Sequence, residues 1–227
     1  MRDGFERVRA ILGASYPDIF LILGNDDPKA EEESFLSAAE QGTWHYIHAR
    51  RFSLADFAVY GYSCVPPTPF RLKDWERYDV SRYVDSGCIS PEEGRRSVAA
   101  DASDVKWGTI QQDLAALAPA DELQRAIFLM HAPPYDTPLD RAALDDKYYE
   151  HVPLDVHIGS IAVRRFIEQR QPLLTLHGHV HESTRLTGEW KTKIGRTVCI
   201  NGAHDGPELA VVRFDPEFPD DASRELI

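Results

Sequence analysis

His179 and His181 flank a single valine directly after Gly178, at the end of the run Leu173-Leu174-Thr175-Leu176. Alternate side chains of an extended segment share a face, so the two imidazoles can reach toward one point. Neutral imidazole nitrogens are ligands for Zn, Mn, Fe or Ni. His131 follows another apolar run, Ala126 to Met130, and adds a third imidazole. Asn25, after Gly24, offers an amide oxygen, although taken alone it reads as a turn residue. Asn201, after Ile200, and His157, before Gly159-Ser160, are candidates to line a substrate crevice; a structural place at a helix entry competes for His157. His45-x-x-His48 has a spacing that a helix could use for a metal, but nothing else in the chain points there, and it reads as surface. No Ser-His-Asp order, no phosphate-binding Walker loop and no GxGxxG is present.

These residues need elements to aim them. Short apolar runs at Ile19 to Leu23, Phe57 to Tyr62, Ala126 to Met130, Leu173 to Leu176 and Thr197 to Ile200 read as strands. Helical spacing appears at Phe5, Val8, Ile11 and Leu12, over Trp107 to Leu117, and at Ile158, Ile161, Ala162, Phe166 and Ile167. The alternation predicts an α/β fold with a mostly parallel sheet covered on both faces. Four strands run straight into polar segments: Gly24-Asn25-Asp26-Asp27, His131-Ala132-Pro133-Pro134, His177-Gly178-His179-Val180-His181 and Asn201-Gly202. In such sheets ligands bind beyond the carboxyl ends of strands, so parallel neighbours would bring these segments to one crevice.

The 227 residues fit one domain, read here as 1–227. Two stretches, about 64–106 and 131–157, lack convincing periodicity; the first is a candidate lid or insertion, or a surface excursion without function. The segment 216–227, with its acidic pairs, reads as a loose tail. A net charge of −12 argues against binding a nucleic-acid backbone. Three scattered cysteines and a charged opening match neither a disulfide framework nor a signal peptide, which points to the cytoplasm. The run Ile19 to Leu23 is about a quarter of the roughly 20 residues that a membrane helix needs, so no membrane partner is expected.

Taken in order, Gly24-Asn25-Asp26-Asp27, the strand ending at His131 with Pro133 and Pro134, and Gly178-His179-Val180-His181-Glu182-Ser183 resemble the calcineurin-like metallophosphoesterase superfamily. The similarity is to its bacterial and archaeal small phosphoesterases and spans Asp18 to about Gly202. The resemblance implies a four-layer α/β sandwich with two divalent ions (Mn, Fe, Zn or Ni) at the strand ends. Asn25, His131 and His179 would bind one ion and His181 the other, and a metal-bound hydroxide would attack phosphorus in line on a small phosphorylated substrate.

Two departures from the family pattern stand out. After the motif Asn the family has a His that assists the leaving oxygen; Asp26 stands there, so Asp26 is the catalytic candidate at that position, although a carboxyl with a pKa of about 3.9 is mostly ionised near neutrality. The family's opening Asp-x-His and Gly-Asp motifs have no counterpart, so two βα units, about 60 residues, are expected upstream of a start internal to the native chain. The expected activity is metal-dependent phosphoester hydrolysis. The alternatives are a mononuclear hydrolase on Asn25, His131 and His179, and a catalytically incomplete relative acting as a binding or interaction module.

Overall fold

The computed structural model describes residues 2–119 and 122–227. Helix α1 (Arg2–Leu12) leads through a turn to strand β1 (Phe20–Leu21), α2 (Glu32–Glu40), β2 (His45–Tyr46), β3 (Arg50–Leu54) and β4 (Phe57–Tyr62). Helices α3 (Ala102–Trp107) and α4 (Ile110–Leu117) follow, then β5 (Ala126–Met130), a short hairpin β6 (Tyr148–Tyr149) and β7 (Val152–Pro153), α5 (Ile161–Arg170) and β8 (Leu174–His177). The chain ends with α6 (Ser183–Thr187), β9 (Lys191–Ile194), β10 (Thr197–Asn201), β11 (Ala210–Asp215) and β12 (Phe218–Leu226).

The protein is a mixed α/β fold. Its main sheet has the order β3-β4-β5-β8-β10-β9. The four inner strands are parallel, and β3 and β9 are antiparallel edges. The inner strands are the continuous apolar runs of the sequence, as strands covered on both faces must be. On one face Tyr60 stacks on Phe128 at 4.5 Å, and Phe166 of α5 meets Phe128 edge-on at 5.1 Å. Ile110 and Leu114 of α4 and Ile167 of α5 close that layer. On the other face Ile127, Leu174, Val198 and Ile200 pack with Ala222, Val212 and Phe214.

That second face corrects the expectation of a loose tail at 216–227. The segment forms β12, paired with β11 from Ala210↔Leu226 to Asp215↔Phe218, and Ala222 sits in the core. Its acidic pair Asp220-Asp221 points to solvent between the buried Pro219 and Ala222, a pattern that hides a half-covered strand in a charged sequence. The helix expected over Trp107 to Leu117 is also divided. Gly108 and Thr109 are extended, and Thr109 caps α4 in a reciprocal box with Gln112. The strand expected at Ile19 to Leu23 is reduced to β1, which pairs with β2 rather than with the main sheet.

The segment 64–106 carries no strand or helix before α3 but is not loosely attached. Trp75 is 1% exposed, and Lys73 and Glu76 form a wholly buried ion pair. The Asp74 carboxylate accepts from the backbone N–H groups of Lys29 and Ser97. His45 and His48 lie on no helix, and the surface reading fails for one of them. His45 is half-exposed against Asp18, whereas the His48 Nδ1 accepts from Ser63 N–H at 3.1 Å and its ring meets Trp75 at 4.9 Å. Removal from water and nearby cations hold His48 down at about 3. Among the described residues no helix is long and apolar enough to cross a membrane.

Candidate metal centre

Strands β5, β8 and β10 are parallel neighbours, so their carboxyl ends open on one side. His131 follows β5 and His179 lies two residues beyond β8. Asn25 arrives from the turn after β1, where Gly24 N–H donates to the Asp27 carboxylate at 2.7 Å. The Asn25 Oδ1 sits 2.9 Å from His131 Nε2 and 2.9 Å from His179 Nδ1. Two imidazoles from separate strand ends thus meet on one amide oxygen.

Local backbone serves this meeting. A Cβ on Gly24 would lie 2.7 Å from the Nε2 and Cε1 atoms of His131, so only glycine lets the imidazole reach Asn25. His179 has φ of +66°, and Val180 N–H donates to Gly178 O at 2.8 Å across it. This is the rare, strained γ-turn with positive φ. A β-carbon tolerates it poorly, and such strain persists where the surrounding structure demands a particular side-chain direction.

Burial holds His131 down at about 4 and His179 at about 3, with the neighbouring imidazoles adding to the second shift. Both rings are therefore neutral near pH 7, the form that ligates a metal. Two neutral imidazole nitrogens and an amide oxygen form a donor set for a borderline divalent cation such as Mn, Fe, Zn or Ni. Their 2.9 Å spacing is close to that of adjacent ligands around an octahedral ion with bonds of roughly 2.1 Å, so the residues fit the ion that the resemblance implies. Among the described residues, no three or more His, Cys, Asp or Glu side chains gather into a metal-holding group. The donor set rests on an amide, and His181, exposed at the rim of the same cavity, stands outside it.

Asp26 is exposed, and its Oδ1 lies 3.5 Å from Asn25 Nδ2, where it steadies the amide with its oxygen toward the histidines. His157 lines the cavity with Nδ1 at 2.8 Å from the wholly buried carboxylate of Asp140, an arrangement that orients the ring, while its Nε2 lies 3.7 Å from the Asp136 carboxylate. Asn201 corrects the expectation of a substrate contact. It is 0% exposed, its Nδ2 donates to Val180 O at 3.0 Å, Leu139 O at 3.2 Å and Ser183 Oγ at 2.8 Å, and its Oδ1 accepts from Ala203 N–H. Nothing of the amide is left for a ligand, and its work is to hold the carbonyl between His179 and His181. Asn201→Ala should cost about 2–3 kcal/mol in a denaturant melt, because buried partners lose their hydrogen bonds; unchanged stability would contradict this role.

His177 is the residue the sequence does not separate from its neighbours. Its Nδ1 faces Ala132 O at 2.8 Å, so that nitrogen carries the proton, and its Nε2 accepts from Thr175 Oγ1 at 2.7 Å. It ties β8 to the loop after His131. Burial holds it at about 4, against 6.5 in an unfolded chain. Between those values the unfolded chain binds protons that folded His177 and His131 refuse, so stability is full above pH 6.5 and declines as pH falls toward 4. Each group can contribute up to about 1.4 kcal/mol per pH unit. Urea melts from pH 7.5 to 4.5 should show that decline, and a flat profile would contradict neutral burial.

No protein-family model and no curated protein sequence matches the chain. Solved structures do match. One crystal structure superposes with a TM-score of 0.57 at 16% identity, covering 99% of this chain and 72% of its own. The protein TT1561 of Thermus thermophilus superposes with a TM-score of 0.53 at 15% identity, covering 99% of this chain and 79% of its own. At these identities the likeness is one of fold: the chain shares its α/β architecture with both.

Proposed function

We propose that this protein is a metal-dependent phosphoester hydrolase on a metallophosphoesterase-type sandwich. The observation that carries the reading is the meeting of His131 Nε2 and His179 Nδ1 on Asn25 Oδ1, beyond the ends of parallel strands. These three residues would hold a divalent ion, and His181 is the donor left for a second. A bound ion supplies Lewis-acid polarisation and charge neutralisation at phosphoryl oxygens.

The chain's own residues do the rest. Burial keeps both imidazoles neutral and free to ligate near pH 7. Gly24 leaves space for the His131 ring, and Asp26 orients the amide. His157, fixed through Nδ1 by Asp140, is a ring of the cavity wall that can contact the substrate. The exposed Asp26 carboxylate suits orientation better than proton donation.

The test uses chelator-stripped protein, Mn2+ or Zn2+ added back, and bis(p-nitrophenyl) phosphate as substrate. Hydrolysis that appears with metal and vanishes on re-chelation supports the reading. Tight metal uptake without turnover of any phosphoester favours the binding-module alternative, and one ion per chain rather than two favours the mononuclear form.

A further inference from the structure

The residues of the candidate centre line a cavity of about 1090 Å³, at the upper end of ordinary small-molecule sites and far larger than a phosphate. The remaining volume must accept whatever the phosphate carries. Among the described residues no Lys or Arg lines it, whereas Asp26, Asp27, Asp79, Asp85, Asp155 and Glu182 do. Several of these carboxylates are engaged by neutral donors. Asp79 caps α5 through Ser160 Oγ and Ile161 N–H, Asp155 accepts from Tyr135 O–H, and Glu182 accepts from Ala143 N–H. Carboxylate oxygens are hydrogen-bond acceptors, so they offer nothing to a second phosphate.

The walls are apolar and aromatic. The segment 64–106 contributes three prolines and Phe70, and the β6–β7 hairpin contributes Tyr148 and Tyr149. The two segments meet where Gly87, with φ of +84°, comes so near the Tyr149 ring that a Cβ would touch it at 3.4 Å. Phe70 is 59% exposed, Tyr83 71%, Tyr148 61% and Tyr149 53%. Four large rings left facing water around one opening are surface that an apolar ligand group would cover. Burial also pushes the Cys88 thiol on this wall up to about 11.

We propose that the cavity selects monoanionic phosphodiesters bearing an extended apolar substituent, such as an alkyl chain of about eight carbons, over dianionic phosphomonoesters and nucleoside polyphosphates. The proposal rests on the hydrolase reading and deepens it. In the reaction a water oxygen bonds to phosphorus and the P–O bond to the leaving alcohol breaks. One water proton ends on that alcohol, and the other is released as the product becomes a monoester dianion. The single charge of a diester needs only the metal centre, whereas each further charge meets carboxylates.

The experiment compares p-nitrophenyl octyl phosphate, p-nitrophenyl methyl phosphate and p-nitrophenyl phosphate, which share one leaving group, with Mn2+-supplemented protein below micellar concentrations. The expected kcat/KM is at least tenfold higher for the octyl ester than for either of the others. Tyr149→Ala and Phe70→Ala should each lower the octyl-to-methyl ratio at least threefold, and both rings are exposed enough for the variants to fold. Equal values for octyl and methyl esters, or preference for the monoester, overturn the proposal while leaving the hydrolase reading intact. Calorimetry with octyl methylphosphonate separates the opposite failure. Binding with a negative heat-capacity change that methyl methylphosphonate lacks, in a protein that cleaves no ester, would uphold the cavity's selectivity and remove the hydrolase reading. Absence of octyl methylphosphonate binding counts against the selectivity itself.

Discussion

Replacing His179 by alanine is expected to remove metal-dependent phosphoester hydrolysis by about a thousandfold or more and to release the bound ion, because the centre has only two imidazoles and one amide to lose from. The effect on folding should differ in sign from the effect on activity. His179 holds a positive φ of 66°, where a side chain is a cost to the backbone. His179→Gly should therefore lose the ion as fully as the alanine variant while keeping or slightly raising thermal stability, by up to about 1 kcal/mol. Asn25→Ala should match the loss of activity. His181→Ala should lose less of the first ion, since His181 is exposed and outside the Asn25 contacts. Metal content measured beside melting temperature checks all four variants, and unchanged metal in His179→Gly would contradict the assignment.

Lys73→Met is expected to destabilise the fold by roughly 3–5 kcal/mol, the usual cost of leaving one member of a buried ion pair without the other. Lys73 and Glu76 are each 0% exposed in their side chains and bonded to one another. The Lys73 Nζ also donates to Thr68 O at 2.8 Å, and Glu76 takes the Thr68 N–H and hydroxyl. Without the lysine the carboxyl would be stranded. Burial already pushes the Glu76 pKa upward, opposed mainly by Lys73 and Thr68, so the variant should take up a proton at this site. Adding Glu76→Gln to Lys73→Met should recover most of the loss, since a glutamine oxygen still accepts from Thr68 and carries no charge. A urea melt of the single and double variants decides it; a loss under about 1 kcal/mol for Lys73→Met would mean that the pair does not anchor the segment 64–106.

The parts of the fold that the sequence displays are those governed by burial on both faces. β4, β5, β8 and β10 are largely apolar runs, and the ends of β5 and β8 carry the site histidines. The edges are harder to read. β9 is Lys-Thr-Lys-Ile and β12 contains Pro219 and two aspartates, because each is half-covered and its charges face water. Among the site residues, glycine beside Asn25 and the His-x-His spacing point to the centre, yet local sequence cannot distinguish His177, turned inward between Thr175 and Ala132, from His179. Asn201 follows a strand as the others do but is consumed by four hydrogen bonds, most of them to loops distant in sequence. The cavity walls are equally hidden, since Tyr148 and Tyr149 lie in a segment with no periodicity, and the approach of Tyr149 to Gly87 joins residues distant in sequence.

The central claim, that Asn25, His131 and His179 hold a catalytic divalent ion, is tested most directly by anomalous diffraction at the zinc edge from crystals of the Zn2+-loaded protein. The geometry requires a peak bonded at about 2.0–2.2 Å to Asn25 Oδ1, His131 Nε2 and His179 Nδ1. A map with zinc elsewhere, or with no peak among these three atoms at saturating metal, would contradict it.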